Sequence, residues 1–142
     1  MIGLSLGSLV FSDAAALRDL NRMTHPWILR RCSEEVDRLR AGGYLDIILL
    51  DAALLLDWRD QVRPRWIVAV LCAEGERLRR LVARGLSTEE ARRRLESQRD
   101  QESLRVAATW VVENDGTLEE LAQRSLELTE QIRAARARGN AE

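Results

Sequence analysis

Ile47-Ile48-Leu49-Leu50-Asp51, continued by Ala52-Ala53-Leu54-Leu55-Leu56-Asp57, is the stretch on which the fold turns. Its four leading apolar residues, two of them β-branched, do not alternate with polar ones, as a strand with one wet face would. The run follows the turn signal Gly42-Gly43. It reads as a strand covered on both faces, and so as part of a parallel sheet with helices on each side. It ends in a carboxylate. Ligands of open parallel sheets sit beyond the carboxyl ends of the strands. There an Asp can hold Mg²⁺ beside a nucleotide phosphate. On the residues alone, Asp51 also reads as a turn cap, the commoner role, and Asp57 as an exposed charge.

The chain has 142 residues and a net charge of -1, which fits one domain with a real core. No apolar run approaches a membrane span. The opening residues lack the basic start of a secretory leader. Cys32 and Cys72 match no metal spacing, and a reducing, cytoplasmic setting is expected. The single histidine excludes a multi-His metal site. All 22 basic residues are arginine. No mechanism that needs a lysine, such as that of a phosphate-binding loop, can be completed by these residues alone.

Read outward from the central run, Ser12-Asp13 offers a helix N-cap for Ala14 to Met23. Thr24-His25-Pro26 should break that helix, and a second one, with Pro26 in its first turn, should run through Trp27, Ile28, Cys32, Val36 and Leu39. Trp66 to Cys72 reads as a second buried parallel strand, followed by a helix over Ala73 to Ala83. Ser87-Thr88-Glu89-Glu90 has the spacing of a capping box. It opens an Arg-rich helix, Glu89 to Arg99, whose scant apolar surface suits a mobile flap. Trp110-Val111-Val112 is a third strand. Thr117 and Glu120 cap a last helix with Leu121, Leu128 and Ile132 on one face, expected to fray from Arg133 onward. The four tryptophans read as packing residues. The order is that of an α/β layered fold.

Taken in order, these motifs resemble dephospho-coenzyme A kinase, within the P-loop kinase superfamily. Leu6-Gly7-x-x-Val10-Phe11-Ser12-Asp13 resembles the family's lead into its acceptor-side helices, and His25-Pro26-x-Ile28 its His-Pro turn. Asp51 to Asp57 resembles an Asp-x-Pro-Leu-Leu-Phe-Glu pattern, with Ala53, Leu56 and Asp57 departing from it. Arg84-Gly85-Leu86-Ser87 with Ala91-x-x-Arg94-Leu95-x-x-Gln98 resembles the family lid. Val112 to Thr117 resembles its nucleotide-side strand end. The expected fold is a truncated, three-layer P-loop kinase-like α/β fold, with a parallel sheet, a helical acceptor-side segment and a lid helix. One domain is expected over 1–142: acceptor-side helices at 11–43, core at 44–83 and 108–135, and a lid-like segment at 84–107. Met1-Ile2-Gly3-Leu4 resembles the family's opening strand, but the chain then passes straight to Leu6-Gly7: the family's G-x-x-x-x-G-K-[ST] loop, the helix after it and a second strand ending in an Asp-containing motif have no counterpart here. That absence implies a chain truncated at its start.

The resemblance implies transfer of the ATP γ-phosphate to the ribose 3′-hydroxyl of dephospho-coenzyme A, with Mg²⁺ accompanying ATP. It puts His25, Asp51 and Asp57 on the acceptor or Mg²⁺ side, and Arg84, Arg94 and Asn114 on the nucleotide side. Read alone, His25 and Asn114 are turn residues and the arginines solvated charge. The expected partners are ATP and dephospho-coenzyme A, with no membrane and no nucleic acid. Without lysine or phosphate loop, this chain is expected to be inactive by itself. The alternative is a non-catalytic pseudoenzyme, or a partner module that binds a nucleotide or a complementary chain, or self-associates, at open sheet edges. Met1 to Leu6 is expected to fill the gap between the strands centred on Ile48 and Val68.

Overall fold

The structure, a computed structural model, describes residues 13–139. Two compact units divide at Arg63 and Pro64, and each is taken by itself. The expected pairing of Met1 to Leu6 lies outside the described residues.

The first unit is dominated by one helix, α1, Ala14–Ala41. Asp13 caps it, its Oδ1 accepting from the backbone N–H of Ala15 at 2.7 Å and of Ala16 at 3.3 Å. The expected break at Thr24-His25-Pro26 does not occur, and Pro26 lies inside the helix. A proline there removes one N–H and costs about 3 kcal/mol. The turns on either side continue, and the Thr24 hydroxyl donates to the Leu20 carbonyl at 2.8 Å. Ile28, Cys32, Val36 and Leu39 form a half-buried stripe, whereas Trp27, expected to pack, is 57% exposed. The helix ends where Gly43 adopts φ +80°. The N–H groups of Gly43 and Tyr44 then reach back to the carbonyls of Arg40 and Leu39, each at 3.0 Å. A left-handed residue is needed to turn the chain back this way, and glycine adopts it without strain.

The central apolar run is not a strand. Among the described residues 47–50 form no ladder, and Leu49 is 83% exposed while Ile47, Ile48 and Leu50 are half-buried. Among the described residues the sheet has two strands, neither from this run. A strand exists only with a paired neighbour. Composition marks a segment as suited to a covered, extended state, but it does not supply the neighbour. After the run, a 3₁₀ turn Leu55–Trp58 and a short helix α2, Arg59–Val62, close the unit. Trp58 is its buried aromatic.

The second unit holds the sheet. Strands β1, Val68–Leu71, and β2, Trp110–Glu113, pair in parallel, with Val68 opposite Trp110 and Leu71 opposite Glu113. In β1, Ala69 and Leu71 are buried but Val70 is 60% exposed. The strand is therefore covered on one face, not on the two that its composition suggested. Helix α3, Glu74–Ala83, follows β1. Gly85, at φ +97°, ends it in the same left-handed way as Gly43 ends α1. Ser87 then caps α4, Thr88–Glu96, through the expected box, with Glu90 and Ser87 bonding each other's backbone N–H. The Arg-rich helix is less bare than its composition implied: Ala91 is fully buried where α4 packs on α3. A separate short helix, α5, Gln101–Ala107, leads to β2. The last helix, α6, starts from the Thr117–Glu120 box. It spans Leu118–Gly139, well past Arg133. Among the described residues no helix is long and apolar enough to cross a membrane.

Leu71 is 2% exposed and Leu49 is 83% exposed. Leu71→Ala should therefore destabilise the protein by about 2–5 kcal/mol, and Leu49→Ala by no more than about 0.5 kcal/mol. Urea unfolding followed by tryptophan fluorescence checks this. A Leu49→Ala penalty as large as that of Leu71→Ala would restore the buried-strand reading of 47–50.

Candidate functional site

Parallel pairing brings the carboxyl ends of β1 and β2 to the same end of the sheet. A cleft of about 340 Å³ opens there, lined by Cys72, Ala73, Gln101, Arg105, Glu113 and Asp115 among others. In a parallel ladder, alternate residues turn their N–H and C=O toward the same neighbour. The carbonyls of Ile67 and Leu71 accept from the β2 side, so Cys72 turns its groups away from β2. Gln101 meets both of them: its Oε1 accepts from Cys72 N–H at 2.9 Å, and its Nε2 donates to the Cys72 carbonyl at 2.8 Å. The side-chain amide thus stands in for one residue of a further strand. On the far edge of β2, Arg124 donates to the Glu113 carbonyl.

The next residue of β1's exit is tied to β2's. Asp115 Oδ1 accepts from the Ala73 N–H, at the start of α3, at 2.6 Å. That bond, followed by one from the Cys72 thiol, holds the Asp115 carboxyl below its ordinary range. Burial first, and then the Asp115 bond, pushes the Cys72 thiol up. A raised thiol keeps its proton, so Cys72 is not a nucleophile in waiting. Arg105 and Glu113 pair at 2.6 Å. The cleft therefore offers one guanidinium and several oriented polar groups, suited to holding a polar ligand and not to covalent chemistry.

Of the candidate site residues His25, Asp51, Asp57, Arg84, Arg94 and Asn114, Asn114 alone reaches this end of the sheet. It lies between Glu113 and Asp115, and its N–H donates to the Leu71 carbonyl at 2.7 Å. Arg84 is the exposed C-cap of α3 and Arg94 lies in the last turn of α4. Neither lines the cleft. In the first unit, His25 sits within α1 and accepts a hydrogen bond from Trp58 at 3.1 Å. Asp51 is exposed at the end of the apolar run, and Asp57 is exposed in the 3₁₀ turn. Gln101 and Arg105 were missed because nothing local marks them: Gln101 acts on a residue 29 positions away. Asp115 was visible only as part of the strand end Val112 to Thr117. Among the described residues no three His, Cys, Asp or Glu side chains converge as a metal cage.

Crossover-linked parallel strands, capped helices and a polar cleft beyond the strand ends define the class of layered α/β proteins that hold ligands at that edge. Comparison narrows the class. The family model for dephospho-CoA kinase matches residues 4–120. A dephospho-CoA kinase of Chlorobaculum tepidum is 41% identical over 117 residues, spanning 82% of this chain and 56% of the relative. One from Thermus thermophilus is 39% identical over 120 residues, with the same shares. A crystal structure of a Thermus thermophilus protein superposes with a TM-score of 0.70 at 38% identity, over 89% of this chain and 64% of that one. The chain belongs to the dephospho-CoA kinase family. It spans about 56% of the length of these curated relatives.

Asp115 allows a pH test. Its carboxylate is held below its ordinary value of 3.8. Its contribution to stability is then present above that value and is lost as pH falls toward the lower, folded one. Asp115→Ala should be less stable than the native chain at neutral pH, and the gap should close as unfolding is followed below pH 3.8. A gap that stays constant, or widens in acid, would show that the cap is not charge-based.

Proposed function

We propose that this chain serves the dephospho-CoA kinase reaction in a cytoplasmic setting. In that reaction the ribose 3′-hydroxyl of dephospho-coenzyme A gives up its proton as its oxygen bonds to the γ-phosphorus of ATP, the bond to the β,γ-bridging oxygen breaks, and ADP leaves. The observation that carries this reading is the family match over residues 4–120. His25, Asp51 and Asp57 serve the acceptor side, Asp51 being the carboxylate suited to Mg²⁺. An ion that arrives with ATP needs only one or two protein carboxylates, its other ligands being phosphate and water. Arg84 and Arg94 hold nucleotide phosphates, for which a planar guanidinium is suited. Asn114 borders the adenine.

The 142 residues taken alone contain no lysine and no G-x-x-x-x-G-K-[ST] loop. Phosphoryl transfer depends on preorganised charge at the transferred group. By themselves these residues are therefore non-catalytic. A second reading, a binding module for a complementary chain, is favoured by one feature: Val70 is 60% exposed in the middle of β1. An apolar residue so placed, beside a strand edge with no partner strand among the described residues, suits an added strand.

Purified chain supplied with ATP, Mg²⁺ and dephospho-coenzyme A should release ADP no faster than background. Turnover on the order of 1 s⁻¹, the low end for kinases, would contradict the non-catalytic reading. Calorimetric titration of ATP tests the arginines. Each charge-assisted contact contributes about 1.5–3 kcal/mol, so Arg84→Ala and Arg94→Ala should each weaken binding by about ten- to a hundredfold. High salt should weaken the native chain as well. Equal binding by native chain and both variants would make these arginines ordinary surface charge.

A further inference from the structure

A long-range side-chain contact in the first unit has a chemical consequence. The Trp58 indole Nε1–H donates to His25 Nδ1 at 3.1 Å, across 33 positions of sequence. The two rings stand edge to face, 5.0 Å between centroids at 81°. Trp58 is only 7% exposed, the one buried residue of the turn that carries it. An indole nitrogen is a donor only, and the nitrogen it meets must therefore be without a proton. A neutral imidazole carries its one proton on the other nitrogen. In His25 that is Nε2.

We propose that Trp58 is a positioning residue that locks His25 as the Nε2–H tautomer, fitting it to donate a hydrogen bond to an oxygen of the acceptor substrate. The proposal rests on the acceptor-side reading of His25 given above. Neither nitrogen is then free to take a proton from a hydroxyl. Nδ1 already accepts from the indole, and Nε2 already carries hydrogen. The imidazole is a donor that holds a phosphate or hydroxyl oxygen, not the general base of the transfer. Rotation about the last torsion of a histidine is broad and roughly two-fold. The indole bond removes one of the two orientations, and the edge-to-face contact restrains what remains.

The chain's single histidine makes the test clean. Protein labelled with ¹⁵N-histidine and indole-¹⁵N-tryptophan is examined at mildly alkaline pH. An Nδ1 resonance at the unprotonated position, Nε2 at the protonated one, and a Trp58 indole proton that exchanges far more slowly than that of the 57%-exposed Trp27 are expected. A protonated Nδ1, or a Trp58 indole proton that exchanges as fast as that of Trp27, overturns the lock in the native chain itself. Trp58→Phe keeps an aromatic ring but removes the donor. The imidazole signature should then shift toward a mixture of tautomers, and an unchanged signature in the folded variant overturns the proposal. Binding of dephospho-coenzyme A separates the two levels. Trp58→Phe should weaken it by about three- to tenfold. His25→Gln, whose amide N–H falls near the position of Nε2, should bind better than His25→Ala. If His25→Ala binds as well as the native chain, the acceptor-side reading fails, and with it the donor role, whatever the tautomer.

Discussion

The parallel pairing of Val68–Leu71 with Trp110–Glu113 is the constraint on which the second unit depends. Parallel strands cannot be joined by a tight turn, so a crossover of a dozen or more residues must link them. Here that crossover carries α3, α4 and α5, and it starts and finishes at opposite ends of the strands. As a result Cys72 leaves β1 beside the point where Asp115 follows β2. Each exit is then secured by a side chain from elsewhere. Gln101 occupies the backbone groups of Cys72, and Asp115 accepts from Ala73. The polar cleft follows from the pairing together with these contacts.

Charge plays a different part from what the arginine count suggests. Most of the ion pairs are near neighbours on one helix, such as Arg31 with Glu34 and Arg22 with Asp19, with exposed partners. Exposed pairs of this kind contribute at most about 1 kcal/mol each. Glu76 is the sharpest case: hydrogen bonds from Arg79 and then Arg80 hold its carboxyl at about 2. All three belong to α3, so they support the helix that follows β1 without defining a site. The arginine–carboxylate pair at the cleft, Arg105 with Glu113, instead joins two different elements, α5 and β2.

Local chemistry was legible in the sequence wherever a short spacing sufficed. The caps at Asp13, Ser87 and Thr117 stand where their side chains predict them, because a cap needs only the next three residues. The strands around Val68 and Trp110 and the α/β class were readable from apolar runs and their order, as was the family. What failed depended on distant partners. Ile47 to Leu50 has the composition of a buried strand, but no partner strand among the described residues, so Leu49 lies exposed. Pro26 was read as a break because its local cost is real, but α1 continues on both sides of it. Gln101 and the Trp58–His25 bond carry no local signature, since each joins residues about thirty positions apart.

Residue-resolved native-state hydrogen exchange on the 142-residue chain probes this division most directly, because protection reports paired amides buried in a cooperative unit. The amides of Trp110, Asn114 and Cys72, which donate to Ile67, Leu71 and Gln101, should be among the slowest to exchange. Those of Ile48, Leu49 and Leu50 should exchange orders of magnitude faster. Protection at Ile48 to Leu50 matching that at Asn114 would contradict the account, for it would mean that the central apolar run is a paired strand after all.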